Sequence, residues 1–266
     1  MTKEERQNII LDYLFKSGSV QVCDLATTLA VSSVTIRKDL TELEKAGKLY
    51  RSHGKAILIN PFTNNRSVNE KEKYYAEEKN LIGMEASKLI MPNDSIVLAS
   101  GTTIHALARC IHPVGKLTVV SASLQATETL AMIDDVEIIQ LGGVLRHSSL
   151  SVVGKYSEDI LKGCSFSKLY LGVDGIDFDF GISTTDLREA ELNRQMMLTA
   201  QKIIVLADSS KFGRRGFAKI ANLEDIDVII TDSQVSPAVV RRIEELGIEL
   251  IIAEGRDLLA VSANRQ

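Results

Sequence analysis

Cationic and hydroxyl side chains are concentrated on one face of a predicted helix that begins near Ser33. With about 100° between successive helical residues, Ile36, Leu40 and Leu43 share an apolar face. The opposite face suits the major groove of DNA, where cations and hydroxyls bond phosphates or base edges. This face and its flanks carry Ser33, Val34, Thr35, Arg37, Lys38, Thr41 and Lys45. A solvated amphipathic helix with two lysines would show the same pattern, so both interpretations stay open for this helix alone.

A second group of hydroxyl residues follows a short apolar run. Ile96 to Leu98 lead into the sequence Ser-Gly-Thr-Thr at positions 100–103, and a helical stretch then continues to Cys110. Backbone N–H groups at a helix N-terminus, together with hydroxyls, can bind an anion, so we expect this loop to fit a phosphate. Glycine and hydroxyl residues before a helix also serve as an ordinary cap.

Glycines and charged residues cluster in four further segments. Three of them follow predicted strands, and open α/β sheets bind ligands at the carboxyl ends of their strands. The segments are Gly142-Gly143 with Arg146, Gly172 to Asp177, Glu189 to Glu191, and Asp208 to Phe212. The sequence therefore predicts a small-molecule site at this edge of a sheet.

The carboxylates in these segments raise a second hypothesis, an enzyme that isomerises sugar phosphates. Proton transfer between adjacent carbons needs a positioned carboxylate with a suitable pKa. The candidates are Asp174, Asp177, Glu189 and Glu191. Spacing alone does not bring any of them to a substrate carbon, and we expect a binding protein rather than an enzyme.

The elements that would position the first surface form a winged helix-turn-helix over residues 1–59. Thr2 and Glu5 are spaced as a capping box that begins the first helix. Val22 to Leu29 form a second helix ahead of the one that carries the cations. Lys48 to Arg51 and Lys55 to Ile59 then form a small hairpin. Asp39 lies nearer the buried face of the third helix, where we expect a structural ion pair or hydrogen bond.

The rest of the chain predicts a linker, an α/β domain and a frayed tail. Residues 60–80 are polar and repeatedly charged, and we assign them to a linker whose end enters a helix. Residues 81–254 alternate short apolar runs with helical segments, which predicts a mostly parallel sheet covered by helices. Residues 255–266 are predicted to be a frayed tail.

Charge and composition narrow the class of protein. Residues 1–60 hold nine Lys and Arg against seven Asp and Glu, or +2, and the total of −4 leaves −6 for the remainder. Only the N-terminal part therefore has a favourable sign for DNA. We expect a cytoplasmic protein with no membrane association, because no long apolar run or secretory signal is found. The three cysteines and four histidines lack paired metal-ligand spacing, so no metal or other cofactor is predicted.

The segment from Ser32 to Leu40, together with Arg6 and Ile10, resembles the helix-turn-helix of the DeoR family of bacterial repressors. The later segments resemble the sensor domain of that family, so the likeness covers most of the chain. In the wing, where family members carry a second glycine, this chain has Lys55. A non-glycine residue would be strained at positive φ there, although Lys55 adds a cation. Arg51, His53 and Lys55 are the candidate wing contacts to the DNA backbone.

The resemblance also implies roles for the second domain. Its fold is expected to be similar to that of ribose-5-phosphate isomerase. Asp174 and Lys211 would meet sugar hydroxyls or phosphate, and Arg146 would assist. The residues implied to hold the phosphate are Ser100, Gly101, Thr102 and Thr103. Family members carry Asp two positions before this glycine, whereas this chain has Ala99, so a polar contact to the ligand or to a neighbouring loop is absent.

Together these observations predict a DNA-binding repressor of carbohydrate-utilisation genes, relieved by a phosphorylated sugar. A homo-oligomer, dimer or tetramer, would place two recognition helices in successive major grooves of double-stranded operator DNA. The sugar-phosphate isomerase is the alternative. A DNA-organising protein without a ligand predicts a wholly basic chain and no polar clusters at strand ends, and neither expectation is met.

Overall fold

The computed structural model describes residues 1–17, 19–45, 48–52, 55–58 and 68–255. It divides into two compact units, Met1–Asn64 and Asn65–Gln266. Among the described residues, no helix combines the length and apolar character that crossing a bilayer requires. The two units are described separately below.

The first unit is a winged helix-turn-helix. Its elements are α1 Lys3–Ser17, β1 Ser19–Gln21, α2 Val22–Thr28, α3 Ser33–Lys45, β2 Leu49–Ser52 and β3 Lys55–Leu58. The predicted capping box opens α1, because Glu5 N donates to Thr2 Oγ1 and Thr2 N donates to Glu5 Oε2. The apolar faces of α1 and α3 meet in a small core that includes Ile10, Leu14 and Leu40.

The wing has one strand more than the sequence predicts. The predicted hairpin is present as an antiparallel pair of β2 and β3, and β1 pairs with the other edge of β3. Only three residues form β1, too few for an alternating pattern to be visible in the sequence. This third strand ties the wing to the start of α2.

The second unit is an α/β domain. It begins with two helices, α4 Val68–Glu72 and α5 Ala76–Ser87. Its large sheet is formed by β4 Ser95–Leu98, β5 Leu117–Ser121, β6 Val136–Gln140, β9 Phe166–Gly172, β12 Ala200–Leu206, β14 Val228–Asp232 and β15 Glu249–Ala253. The connecting helices are α6 Thr102–Cys110, α7 Leu124–Leu130, α8 Lys155–Leu161, α9 Leu187–Thr199 and α10 Pro237–Glu245. The remaining strands are β7 Val144–Arg146, β8 Ser151–Val153, β10 Gly175–Asp177, β11 Gly181–Thr184 and β13 Ala218–Ala221.

The seven strands of the large sheet follow the order β15-β14-β12-β9-β4-β5-β6. Every neighbouring pair in this sheet is parallel, which confirms the predicted α/β class. From β4 the chain proceeds through β5 to β6 on one side, and β9 then pairs with the other side of β4. The strand order therefore reverses between β4 and β9, the place where open α/β sheets form a ligand crevice.

Both faces of the sheet are buried. Along β9, Leu169 and Leu171 join one hydrophobic cluster, whereas Tyr170 between them joins the other. This alternation follows from the two-residue period of a strand. Helices cover both faces, and the strands therefore lack the polar alternation of a half-exposed sheet.

The start of the second unit differs from the sequence prediction. Residues 68–80, predicted to be the end of a linker, belong to α4 and α5 within this unit. Charged residues on a short helix give little apolar periodicity, which is why the pattern predicted a linker there. Residues 59–67 and the predicted tail at 256–266 lie outside the described residues.

Candidate functional sites

The recognition helix α3 has the two faces that its sequence predicts. Ile36 and Leu40 are completely buried and Leu43 is 2% exposed. Arg37 and Lys38 are exposed on the other face, and no ion pair holds either of them within the described part of the chain. Ser33 and Val34 are also exposed, whereas Thr35 and Thr41 are half-buried. Lys45 ends α3, but its side chain lies outside the described residues.

Two polar contacts fix the position of α3. The backbone N–H of Thr35 donates to Ser32 Oγ at 3.2 Å, so Ser32 acts as a cap. Asp39 is 3% exposed and accepts from Arg6 of α1 through Nε and Nη2, the latter at 3.0 Å. This bidentate pair confirms the expected structural role of Asp39 and leaves α3 held against α1.

The candidate wing residues have different surroundings. Arg51 donates to Glu44 through Nε at 2.7 Å and to Thr41 Oγ1 through Nη1 at 2.9 Å. Lys55 begins β3 opposite Ser52 and is exposed. Lys55 does not have a positive φ, because strand pairing holds its backbone extended and avoids the strain that a non-glycine residue would meet there. His53 lies outside the described residues.

The second unit contains a cleft at the switch point of its large sheet. The ends of three adjacent strands, β4, β9 and β12, contribute to it through Ser100, Asp174 and Lys211. The cleft encloses about 550 Å³, counting its open mouth. It is lined by Val68, Lys71, Ser100, Gly101, Thr102, Thr103, Arg146, Ser148, Ser149, Gly172, Val173, Asp174, Thr184, Thr185, Glu189 and Lys211.

The loop after β4 has the geometry of an anion site. Gly101 has φ +119°, a value that favours glycine, and a Cβ there would meet no atom within 4 Å. Helix α6 begins directly after it, so its first N–H groups have no intrahelical acceptor. Gly172 lets β9 approach, since its Cβ would lie 2.9 Å from Ser100 O. The predicted phosphate loop therefore lines the cleft with backbone N–H groups that have no intrahelical acceptor, while the Ser100 hydroxyl donates to Glu189.

Asp174 is the centre of one polar network in the cleft. Its Oδ1 accepts from Lys71 Nζ of α4 at 2.6 Å, and its Oδ2 accepts from Thr184 Oγ1 at 3.2 Å and Thr185 Oγ1 at 3.4 Å. Burial alone would raise the pKa of Asp174, but the ammonium groups of Lys71 and Lys211 hold that pKa well below its usual range. Asp174 is thus an ionised acceptor at neutral pH.

Glu189 is the centre of a second network. Its Oε1 accepts from Ser100 Oγ at 2.8 Å, and its Oε2 pairs with Arg146. Thr184 Oγ1 lies 3.2 Å from this Oε2 and 3.2 Å from Asp174 Oδ2, so its single O–H donates to one of the two carboxylates at a time. Arg146 also lies 3.4 Å from Asp186, which caps α9. The side chain of Arg146 is only 4% exposed, so this cation enters the cleft already neutralised.

Lys211 is the exception among the cations of the cleft. Within the described residues, no carboxylate lies within ion-pair distance of its ammonium. Burial, the largest effect, lowers its pKa even though Asp208 and Asp174 act in the opposite direction. An anionic group in the cleft would supply the partner that this ammonium lacks.

Two sequence expectations for this site need correction. Gly142 and Gly143 do not line the cleft. Gly143 packs against β8, where a Cβ would lie 2.6 Å from Val153 O, and Gly142 O accepts from Ser157 of α8. Gly143 is required for this close backbone packing, whereas a Cβ at Gly142 would meet no atom within 4 Å. Ala99 is 1% exposed in a hydrophobic cluster with Val97, which agrees with the polar contact expected to be absent at this position.

Sequence reasoning missed several residues that line the cleft. Lys71 fell within the predicted linker, and nothing in its surroundings suggested a site. Thr184 ends a strand of four residues that the sequence pattern did not reveal, and Thr185 follows it. Glu189 was placed in one of the segments of the predicted site and considered as an acid or base, but not assigned as a binding residue. The signal that could have found it is its place one turn into a helix capped by Asp186.

Only part of the proposed acid–base group reaches the cleft. Asp174 and Glu189 line it, whereas Asp177 pairs with Arg215 at 2.9 Å and Glu191 pairs with Arg194 at 2.6 Å elsewhere. No cluster of His, Cys, Asp and Glu suited to a metal ion is found among the described residues.

Family models match both units of this chain. The DeoR-like helix-turn-helix domain matches residues 6–62, and the DeoR C terminal sensor domain matches residues 75–233. The chain belongs to the DeoR family. Both matches agree with the winged helix and the α/β cleft described above.

Curated relatives that are named as transcriptional repressors align with this chain over nearly their whole length. A protein of Escherichia coli O157:H7, provisionally named as an aga operon transcriptional repressor, is 36% identical over 93% of each chain. The lactose phosphotransferase system repressor of Streptococcus mutans is 32% identical over 88% of this chain and 94% of its own. These relatives are transcriptional regulators.

Among solved structures, a D-ribose-5-phosphate isomerase in complex with phospho-erythronic acid is similar to the second unit. The TM-score is 0.38 at 19% identity, covering 52% of this chain and 54% of the isomerase. A TM-score of this size carries no inference about activity.

Proposed function

We propose that this DeoR-family chain represses genes of carbohydrate use, and that a phosphorylated sugar bound in the cleft relieves the repression. The observation that carries the proposal is a single cleft that combines donors for an anion with carboxylate acceptors. The donors are the open loop at Gly101 and the ammonium of Lys211. The acceptors are the carboxylates of Asp174 and Glu189.

The two kinds of group suit the two parts of a sugar phosphate. The first N–H groups of α6 and the cation of Lys211 favour a dianionic phosphate. Ionised carboxylates only accept hydrogen bonds, so Asp174 and Glu189 suit the hydroxyl groups of a sugar. Lys71 and Arg146 are paired with these carboxylates, so a phosphate would supply Lys211 with a charged partner that a neutral sugar cannot supply.

The DNA half of the proposal rests on α3. Exposed Arg37 and Lys38 would reach phosphates or base edges, with Ser33, Val34 and Thr35 at the start of the helix. A homo-oligomer, dimer or tetramer, would place two such helices on half-sites separated by whole turns of DNA. A regulator of this kind works where the DNA is, so the proposal keeps the expected cytoplasmic location.

The test uses operator DNA selected from a randomised duplex library by the purified full chain. Its binding is followed by fluorescence anisotropy with a panel of hexose and pentose phosphates and their unphosphorylated parents. We expect one phosphate, and not its parent, to weaken binding by roughly 5- to 150-fold, the usual range of allosteric coupling. Operator binding that no member of the panel changes would contradict the proposed effector class.

The convergence of Asp174 and Glu189 also keeps the isomerase alternative testable. Asp174 is a poor general base, because its pKa is held low and Lys71 occupies one of its oxygens. We therefore expect no interconversion of aldose and ketose phosphates by the purified chain. Turnover that disappears in Glu189→Gln would instead establish catalysis.

A further inference from the structure

Helix α4, Val68–Glu72, lies at the edge of the cleft, and we call it the strap. Polar contacts and the buried Val68 hold it there. It has five residues, too few to be stable as an isolated helix. Val68 provides a buried apolar anchor at 3% exposure, and its N–H donates to Ser148 O at 2.6 Å. Lys71 extends from the strap to Asp174 inside the cleft.

The C-terminal end of the strap is held by one residue of α5 and one residue of α6. Lys79 of α5 is 5% exposed, and its ammonium donates to the carbonyl oxygens of Lys71 at 2.6 Å and Tyr74 at 2.5 Å. Glu72 accepts from Arg109 of α6 at 3.0 Å. Thus the same strap contacts the carboxylate after β9 and the helix that begins at the anion loop.

The turn after the strap is strained. Tyr75 has φ +56°, a left-handed conformation that is unfavourable for a bulky side chain. Such a conformation persists only where surrounding contacts hold it, and here the Lys79 hydrogen bonds lie on both sides of the turn. Loss of a strap contact would therefore release a turn that is already unfavourable.

We propose that Lys71 is an effector-binding residue whose exchange of partner, from Asp174 to the anionic group of the effector, releases the strap. This inference rests on the proposed function. A dianionic phosphate attracts the ammonium more strongly than a single carboxylate does. Asp174 keeps Thr184 and Thr185 on Oδ2, and its freed Oδ1 accepts a sugar hydroxyl.

The position of the strap in the chain gives this exchange a consequence. Val68 is the first residue of the strap, and residues 59–67 alone separate it in sequence from β3 of the winged helix. Going along the chain from the DNA-binding unit, the strap is therefore the first described element of the second unit. A change in its placement reaches that unit through the covalent chain.

The test measures hydrogen exchange of the peptide covering residues 68–75 in the full-length chain, without any added anion. Lys71→Met removes the charge at similar length, and Lys73→Met is the matched control, since Lys73 is exposed and outside the cleft. We expect exchange to be roughly tenfold faster or more in Lys71→Met, the loss of a hydrogen bond between charged groups, and unchanged in Lys73→Met. Lys71→Arg should restore slow exchange. Equal exchange in wild type and Lys71→Met would overturn the proposal.

A second arm adds inorganic phosphate, D-glucose 6-phosphate or D-fructose 6-phosphate. A probe that raises the melting temperature of the wild type should change exchange in residues 68–75, and Lys71→Met should bind it more weakly. A probe that binds without altering exchange there would refute the exchange of partners. If none of the probes raises the melting temperature, the proposed function fails for these effectors, whereas the anion-free comparison still decides whether Lys71 holds the strap.

Discussion

The recognition helix and the cleft hold their cations in opposite ways. Arg37 and Lys38 of α3 project into solvent, and no carboxylate pairs with them in the described structure. In the cleft, Arg146 and Lys71 are partly or fully buried and each is paired with a carboxylate. Under the proposed function, the surface that meets a polyanion keeps its cations exposed, whereas the site for a small anion pairs Lys71 and Arg146 with carboxylates and leaves Lys211 for the ligand.

The largest expected effect comes from breaking a charge pair in the cleft. Glu189→Ala removes the nearer carboxylate partner of the buried Arg146 and leaves Asp186, at 3.4 Å, as the more distant one. We expect a loss of about 3 kcal/mol in the free energy of unfolding, the usual cost of leaving one buried partner uncompensated. Urea denaturation of the second unit measures it. The control is Glu191→Ala, which removes an exposed pair with Arg194 and should cost about 0–1 kcal/mol. Equal losses in the free energy of unfolding would show that the Glu189–Arg146 pair stabilises the fold no more than an exposed pair does.

The second prediction concerns the free cations of α3. Lys38→Ala should weaken operator binding and reduce the slope of log affinity against log salt by about 1 if Lys38 neutralises one phosphate. The free energy of unfolding of the Lys38→Ala variant should change by less than about 0.5 kcal/mol, because the Lys38 side chain is exposed and unpaired. Lys202→Ala in β12 makes the same change in net charge away from α3 and should leave the salt slope unaltered. An unchanged slope in Lys38→Ala would remove this residue from the interface.

The third prediction concerns Lys211, the unpaired cation of the cleft. Lys211→Met should weaken binding of the effector phosphate by roughly tenfold or more, the loss of a hydrogen bond between charged groups. The same change should raise the melting temperature without effector, because it removes a buried ammonium whose pKa burial already lowers. Titration calorimetry and thermal unfolding check the two halves. A lower melting temperature of Lys211→Met would show that neighbouring carboxylates stabilise the charge of Lys211 as Asp174 stabilises that of Lys71.

The fourth prediction concerns a pH dependence beneath the strap. Burial, opposed by Asp208, lowers the pKa of Lys79 from 10.5 to about 8. The stability that Lys79 contributes is fully present above its pKa in the unfolded chain, 10.5, and is lost as the pH falls through about 8, because the unfolded chain binds a proton at Lys79 more readily than the folded chain does. As the pH rises from 8 to 10.5, the wild type should therefore gain stability relative to Lys79→Met. Melting temperatures of both proteins across this interval measure the difference, and parallel curves would contradict it.

Prediction from the sequence succeeded where neighbours along the chain decide the outcome. The buried face of α3, the capping box at Thr2 and the glycine loop at Gly101 each depend on residues within one or two turns. The same local reasoning failed at Gly142 and Gly143, which follow a strand but do not line the cleft, and Gly143 packs against β8. A glycine allows both backbone packing and ligand approach, and only the neighbouring elements decide between them.

The sequence by itself determined that a winged helix precedes an α/β unit, because hydrophobic periodicity is a local property of each element. It also identified Asp174 and Lys211 as residues at strand ends. Only the tertiary structure decided that Lys71, more than a hundred positions before Asp174, pairs with it, and that Glu189 joins Ser100 to Arg146. These contacts depend on the order of the strands, which sets the distance between residues far apart in the chain and leaves no periodic trace in the sequence.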